Sequence, residues 1–184
     1  MKEVLQQIQD FADRAHGDQM RKFAPERYIA HPIRVMELCR EQTNDTGMLA
    51  AALLHDVLED TPVSKEALNE FLLEVMNDAT AQRTLHLVVE LTDIYTKRNY
   101  PDWNRRKRKA REVERLSGTS ADAQTIKYAD IIDNSAEIAM QDTDFARVFL
   151  RECRTLLTKM NKGNKILYQK ALDTVDAGLR HLKE

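Results

Sequence analysis

Residues that break regular secondary structure are scarce along this chain, and their scarcity limits the folds open to it. The 184 residues include only five glycines and four prolines. A sheet protein of this length needs many turns, and turns draw heavily on these two residue types. Apolar residues instead recur at helical spacing, as in residues 2–16, where Leu5 and Ile8 lie on one predicted face. The sequence therefore predicts an all-α protein.

Roughly nine helices are predicted, with short breaks between them. The clearest loop is KRNYPDWN, residues 97–104, which precedes a strongly charged helix. A chain of this length suits one domain with its own core, and no repeat or linker divides it. We therefore expect a single helical bundle over residues 1–184, with motifs in about 3–140 and C-terminal helices in about 145–183.

Composition and charge exclude several classes of protein. The formal net charge of −2 provides no overall basic surface for nucleic acid. No apolar run approaches the roughly 20 residues that span a bilayer, and the N-terminal segment lacks the apolar core of a signal peptide. Cys39 and Cys153 fall within predicted helices, which favours packed free thiols in a reducing compartment. We expect a cytoplasmic protein without nucleic-acid or membrane partners, either a monomer or a homodimer.

Four ionisable side chains occupy the end of a helix that is otherwise apolar. The segment AALLHDVLED, residues 51–60, belongs to a helix predicted from Met48 to about Glu59. Side chains four positions apart share a helix face, so His55 aligns with Glu59, and Asp56 with Asp60. Buried charges are costly without a partner, so this acidic stripe requires a cation or water. A solvated helix end is the alternative interpretation.

Two further segments carry side chains of the same chemistry. YIAHPIRV places His31 in the first turn of a helix, where the following proline is favourable. IKYADIIDNSAEI places Lys127, Asp130 and Asn134 on one helix face. Imidazole and carboxylate donors together suit a first-row divalent metal with positions left open for water and substrate. The candidate ligands are His31, His55, Asp56 and Asp130.

These motifs resemble those of the HD-domain phosphohydrolases. The chain is specifically similar to the hydrolase domain of the bifunctional stringent-response enzymes and to their small stand-alone relatives. The similarity rests on AHGDQMRKFAPERYIAHP, AALLHDVLEDT and IKYADIIDN in that order, over roughly residues 3–140. It implies an HD-type helical bundle, and a metal-dependent hydrolase that releases the 3′-pyrophosphate of a guanosine alarmone.

The resemblance also implies a role for individual residues. The four candidate ligands would hold one metal, usually manganese in this family, or another divalent first-row metal. Glu59 and Asp60 would activate the attacking water. Basic residues would hold the substrate phosphates, including one or two from the run at residues 105–111, most of which we expect to form a solvated helix face. The implied substrate-binding residues are Arg21, Lys22, Asn134, Arg105, Arg106 and Lys109.

The sequence departs from the family pattern at positions that bear on the substrate. Alarmone hydrolases commonly carry basic residues where this chain has Ile131 and Ala136, and the FAPER segment lacks their usual glycine. These differences leave open an alternative nucleotide, such as an adenosine alarmone or NADPH. A non-catalytic metal–nucleotide sensor is an alternative of another class, although Glu59 and Asp60 argue against it. A helical nucleic-acid-binding module that uses the basic run is a third.

Several other residues lie outside these motifs. Three histidines without motif support are expected in structural or solvated positions: His16, His86 and His181. Trp103 is expected to anchor the loop that contains it, with base stacking as the alternative role. The two cysteines are expected to pack in the core.

Overall fold

Helices form all the regular secondary structure in the part of the chain that the structure describes. The computed structural model describes residues 2–138 and 143–182. The all-α prediction is confirmed, and the described ranges contain a single isolated β-bridge, between Met20 and Arg27. The chain divides into two compact units, Met1–Thr92 and Asp93–Glu184. The single-domain assignment for residues 1–184 stays a prediction.

Within the described residues, the first unit contains six helices and the second contains four. The first has α1 (Lys2–His16), α2 (Ala30–Arg40), α3 (Thr46–Leu54), α4 (Val57–Asp60), α5 (Lys65–Val75) and α6 (Asp78–Leu91). The second has α7 (Arg105–Ser117), α8 (Ala121–Ile138), α9 (Thr143–Leu157) and α10 (Lys165–His181).

Helix α3 lies at the centre of the first unit. Every residue from Gly47 to Leu54 is buried, as expected for a helix that is apolar on all sides. The side chain of Asp45 accepts a hydrogen bond from the N–H of Met48 at 2.8 Å and so caps the start of the helix. Helix α3 packs against α1, α2 and α6. Its carboxyl end therefore delivers the next residues to the edge of the core.

The predicted helix from Met48 to Glu59 is interrupted, and this prediction was wrong in that respect. Helix α3 ends at Leu54, and α4 begins two residues after His55. A continuous helix would pair the carbonyl of Ala52 with the N–H of Asp56, but Nδ1 of His55 lies 2.8 Å from that carbonyl oxygen. Asp56 adopts φ −98° and ψ −6°, in the sparsely populated bridge region. The break adds one short helix to the nine that were predicted.

A small hairpin connects α1 to α2. Gly17 has a φ of 56°, the left-handed conformation that commonly ends helices and that glycine adopts without strain. The N–H of Tyr28 then donates to the carbonyl of Gln19 at 2.8 Å, and the N–H of Arg21 to the carbonyl of Glu26 at 2.9 Å. These bonds fix the path of residues 19–28 and place Tyr28 two residues before the start of α2.

Helix α8 is the most buried helix of the second unit, and it packs against α9 and α10. Gly163, which precedes α10, lies so close to α8 that an added Cβ would come within 2.6 Å of Tyr128 and 2.8 Å of Thr125. The hydroxyl of Tyr128 also donates to the carbonyl of Met160 at 2.8 Å. Glycine is required at this close approach, which holds α10 against α8.

The loop between residues 93 and 104 is ordered by one buried carboxylate and three aromatic rings. Glu112 accepts hydrogen bonds from the backbone N–H groups of Ile94 and Tyr95 at 2.7 and 2.6 Å. The ring of Trp103 stacks on that of Tyr95, with ring centroids 5.8 Å apart, and also contacts Tyr100. Trp103 anchors its loop, as the sequence predicts.

Candidate metal centre

Two histidines and one aspartate form a compact donor set in the first unit. One possible ligand atom from each of His31, His55 and Asp56 lies within 4.8 Å of the others. Oδ2 of Asp56 is 3.6 Å from Nε2 of His31 and 3.0 Å from Nε2 of His55. Both histidines are buried and the aspartate is half-buried. Three of the four predicted ligands therefore lie together.

The local structure of α2 and α3 explains how the donor set forms. His31 is the second residue of α2, and its N–H donates to the carbonyl of Tyr28 at 3.0 Å. Pro32 follows in the first helical turn, where its missing N–H has no cost. The break after α3 turns His55 towards the start of α2, and the two imidazole rings meet edge to face, 5.2 Å apart.

Hydrogen bonds around the donor set prepare it for a metal ion. Because a carbonyl oxygen only accepts, Nδ1 of His55 donates its proton to Ala52 and leaves the Nε2 lone pair available. The hydroxyl of Tyr28 donates to Oδ2 of Asp56 at 2.6 Å and orients this carboxylate. Two imidazole nitrogens and one carboxylate oxygen fit a first-row divalent cation.

The two predicted catalytic carboxylates lie just beyond the donor set. Glu59 and Asp60 are the last two residues of α4, and both are exposed overall. Partial burial of its carboxyl group raises the pKa of Asp60, and the negative charge of Asp56 raises it further. Hydrogen bonds from Tyr28 and Gln19 act in the opposite direction on this pKa. The Asp60 carboxyl group is therefore engaged in a polar network.

The basic pair Arg21 and Lys22 lies on the α1–α2 hairpin. The guanidinium carbon of Arg21 is 5.5 Å from the ring centroid of Tyr28, within cation–π range. The ammonium group of Lys22 is 4.9 Å from the ring of Phe23. Because the Tyr28 hydroxyl contacts Asp56, the hairpin brings Arg21 to the vicinity of the donor set.

Asp130 and Asn134 belong to the second unit. Nζ of Lys127 lies 2.7 Å from Oδ2 of Asp130, and Nδ2 of Asn134 donates to Oδ1 at 2.5 Å. The prediction that these three side chains share one face of α8 is confirmed. Asp130 is buried, and both of its oxygens are engaged by residues of the same helix. Its membership of the metal set stays a prediction.

Two of the three residues of α7 that were predicted to bind substrate form ion pairs. Arg105 forms a bidentate pair with Glu152 at 2.8 and 2.7 Å, and Lys109 pairs with Asp93 at 3.1 Å. Arg106 is exposed and forms no ion pair with any residue that the structure describes. Four of the six basic residues of the run are exposed, which agrees with the solvated face predicted for most of it: Arg105, Arg106, Lys107 and Arg111.

Sequence reasoning missed three side chains beside the donor set. The hydroxyl of Tyr28 contacts Asp56, and His16, expected to be structural or solvated, is buried next to it. The rings of His16 and Tyr28 lie 4.5 Å apart, and Nδ1 of His16 is 2.9 Å from Oε1 of Gln19. The available signals were that Tyr28 begins the YIAHPIRV segment and that His16 and Gln19 fall within the AHGDQMRK portion of the first motif.

Both cysteines are free and buried. Burial raises the pKa of the Cys39 thiol to about 12 and that of Cys153 to about 12. Neither thiol is therefore available as a thiolate near neutral pH, which agrees with the predicted packing role. None of the helices within the described ranges is long and apolar enough to cross a membrane.

Comparison with known proteins identifies the family. The model of the HD domain family matches residues 9–161, most of the chain, and the protein belongs to this family. A human relative named guanosine-3′,5′-bis(diphosphate) 3′-pyrophosphohydrolase MESH1 is 34% identical over 138 residues. The match covers 73% of this chain and 69% of the human protein.

A solved structure and several longer proteins extend the comparison. The structure of a metazoan ortholog of SpoT, described as hydrolysing ppGpp, aligns with a TM-score of 0.79 at 26% identity and covers 96% of both chains. A probable guanosine-3′,5′-bis(diphosphate) 3′-pyrophosphohydrolase from Mycoplasma pneumoniae is 26% identical over 157 residues. The match spans 82% of this chain but only 20% of that relative.

Proposed function

We propose that this protein is a metal-dependent phosphohydrolase that removes the 3′-pyrophosphate of guanosine alarmones. The observation that carries the proposal is the buried donor set of His31, His55 and Asp56 in a chain of the HD domain family. The substrate is proposed from the similarity to the human and metazoan proteins, whose descriptions name this activity. Their similarity extends over most of this chain.

The proposed metal set has four ligands, and Asp130 is the fourth. Support for Asp130 comes from the KxxDxxxN motif in IKYADIIDN. We propose Mn²⁺, or another divalent first-row ion, on the resemblance to the family. Such an ion would lower the pKa of water and offset negative charge on a phosphoryl oxygen.

The remaining residues would orient water and substrate. In the proposed reaction, water attacks the phosphorus attached to the ribose, and the bond from that phosphorus to the 3′ oxygen breaks. Glu59 or Asp60 would accept the proton of the attacking water, and the departing 3′ oxygen would take a proton from solvent to become a hydroxyl group. Arg21 and Lys22 would neutralise the charge of the pyrophosphate, and Asn134 would assist beside Asp130. Displacement at phosphorus depends mainly on such positioning and charge neutralisation.

The three residues of α7 that are predicted to bind substrate should differ in how much they contribute to kcat/KM. A charge-assisted hydrogen bond to a substrate phosphate contributes about 1.5–3 kcal/mol, or roughly 10- to 150-fold in kcat/KM. Arg106→Ala should lose this much, because Arg106 is exposed and outside the ion pairs of the described residues. Arg105→Ala and Lys109→Ala should be milder, because Glu152 and Asp93 already bind those side chains.

Steady-state kinetics on the three single variants would check this prediction. The loss in Arg106→Ala should appear in KM more than in kcat if the contacted phosphate is remote from the reacting one. Large losses in Arg105→Ala or Lys109→Ala with a mild effect in Arg106→Ala would mean that the ion pairs open on substrate binding. Equal small losses in all three would leave phosphate binding to Arg21 and Lys22.

The proposed partner is a small nucleotide, and neither nucleic acid nor a membrane is part of the proposal. The cytoplasm is the proposed location, because free buried thiols suit a reducing compartment. Either a monomer or a homodimer is compatible with this function, and light scattering on the purified protein would distinguish them.

A second candidate substrate rests on two side chains of α8. Ile131 is buried and Ala136 is exposed, and neither can pair with a phosphate where relatives commonly carry a basic residue. This difference would suit a nucleotide with fewer phosphates to bind, such as NADPH; an adenosine alarmone carries the same phosphates as the guanosine one and stays an alternative through its base alone. The chemistry at the donor set would be unchanged.

A nucleotide screen with Mn²⁺ tests these proposals together. The substrates are guanosine and adenosine alarmones and NADPH, and the products are followed as pyrophosphate, phosphate and nucleotide. Pyrophosphate released in equal amount to GDP from ppGpp would support the main proposal. Phosphate released only from NADPH, or pyrophosphate only from the adenosine alarmone, would replace the substrate. Tight binding without any product would identify a sensor, and salt-sensitive binding to any oligonucleotide without metal would identify a nucleic-acid module.

A further inference from the structure

His16 occupies a buried polar position that the proposed reaction does not yet use. It is the last residue of α1 and only 7% exposed. Its Nδ1 lies 2.9 Å from Oε1 of Gln19, and its ring packs 4.5 Å from the ring of Tyr28. Its Nε2 is buried and has no hydrogen-bond partner among the described residues. Such an arrangement requires an explanation, because buried polar atoms are usually satisfied.

The end of α1 does not require the imidazole of His16. The N–H of Gly17 donates to the carbonyl of Asp13 at 2.9 Å and closes the last turn. Nη2 of Arg27 donates to the carbonyl of Gly17 at 3.0 Å, and the Arg27 guanidinium also pairs with Asp13. The helix terminus is thus satisfied by other groups, and the His16 side chain is directed to Gln19.

Hydrogen-bond polarity connects His16 to Asp60 through Gln19. An amide oxygen only accepts, so Nδ1 of His16 carries the proton and donates it to Oε1 of Gln19. The amide NH₂ group of Gln19 then remains to donate, and the Gln19 side chain hydrogen-bonds to Asp60. Each donor in this series of hydrogen bonds is paired with an acceptor. The series runs from His16 to Gln19 and from Gln19 to Asp60.

The same carboxylate is reached from the metal side by Tyr28. The Tyr28 hydroxyl donates its one proton to Oδ2 of Asp56 at 2.6 Å and also lies next to Asp60. Helices α1 and α4 pack against each other, which keeps both ends of the network in place. Asp60 is therefore held between the donor set and the His16–Gln19 pair.

We infer that His16 and Gln19 are positioning residues that fix the orientation of the Asp60 carboxylate relative to the metal centre. This inference rests on the proposed hydrolase function. A reacting group must be held within about 0.5 Å of its productive position, and a side chain at the exposed end of a one-turn helix needs neighbours that restrict it. Gln19 restricts Asp60 directly, and His16 fixes which way the Gln19 amide faces.

The inference predicts a selective loss of turnover. Gln19→Met keeps the size of the side chain and removes both hydrogen bonds. Its kcat should fall by about 10- to 100-fold, the usual effect of losing a partner that orients a functional side chain. KM, metal content and melting temperature should stay close to those of the wild type. His16→Leu should act in the same direction, and His16→Asn should restore most of the activity, because the Asn amide can donate to Gln19.

A double-mutant cycle with Asp60 distinguishes positioning from a structural role. If Gln19 acts through Asp60, adding Gln19→Met to Asp60→Asn should cause no further loss of kcat. Gln6→Met is the matched control, since Gln6 is an exposed residue of α1 whose side chain donates to Asp10 on the same helix, and it should behave as the wild type.

Three results would overturn the inference. Wild-type turnover in Gln19→Met, a further loss of kcat in the double variant, or parallel losses of metal and thermal stability would each exclude a positioning role. A wild-type protein that hydrolyses none of the screened nucleotides would instead refute the proposed function, and the inference would fall with it. The two failures are distinguishable by the activity of the wild-type protein.

Discussion

Replacement of His55 or Asp56 with alanine is expected to remove the bound metal and the turnover together. Both residues contribute a donor atom to the cluster, and Nε2 of His55 lies 3.0 Å from Oδ2 of Asp56. Loss of a residue that merely supports a ligand costs about 10- to 100-fold in metal affinity, so loss of the ligand itself should cost at least as much. Elemental analysis of dialysed protein and turnover of the identified substrate measure the two effects.

The experiment needs controls for folding, because His55 is buried and its truncation leaves a cavity. Asp56→Asn keeps the side-chain shape and removes the charge, and should lose the metal while retaining the helical circular dichroism spectrum. His86→Ala is the matched control, since the His86 side chain is 71% exposed on α6. A full complement of metal in both His55→Ala and Asp56→Asn would refute the proposed centre.

Periodicity predicted most of the helices because helical propensity is a property of the local chain. Helix α1 was predicted from residues 2–16 and occupies that range. Helix α7 ends at Ser117, directly before Gly118, and Asn164 precedes α10 and accepts hydrogen bonds from its first N–H groups, which are local signals of a helix end and a helix start. These signals lie within a few residues of the structure that they determine.

Local periodicity and end signals could not predict the break between α3 and α4. AALLHDVLED contains neither glycine nor proline, and all its residues before His55 are apolar. The interruption coincides with a side-chain contact, from the His55 imidazole to the carbonyl of Ala52, which competes with the helical hydrogen bond. The spacing of apolar residues gives no information about such a side-chain-to-backbone hydrogen bond.

The candidate site was only partly accessible from the sequence, for a related reason. The motifs identified His31, His55 and Asp56, because their residue types and order are distinctive. The contact of Tyr28 with Asp56 spans 28 residues, and that of Arg105 with Glu152 spans 47. Tertiary packing brings such pairs together, so no local pattern could show that Arg105 is engaged or that Tyr28 orients a ligand.

Glu59→Gln is expected to leave the metal bound and to reduce kcat by about 100-fold or more, the usual contribution of a general base. Glu59 lies at the end of α4, three residues beyond Asp56, where its carboxylate is exposed and outside the donor set. Glutamine preserves the length of the side chain but cannot accept the proton of the attacking water. Metal content and single-turnover rates separate a loss of chemistry from a loss of binding.

The comparison of Glu59→Gln with Asp60→Asn then shows which of the two carboxylates accepts the proton of the attacking water. Gln19 hydrogen-bonds to Asp60 and the Tyr28 hydroxyl lies next to it, so Asp60→Asn should also lower kcat. If the two carboxylates act as a unit, the double variant should be little worse than the less active of the two single variants. Glu66→Gln, an exposed first-turn carboxylate of α5, is the matched control and should retain wild-type turnover. Near-normal turnover in Glu59→Gln would leave proton transfer to Asp60 alone.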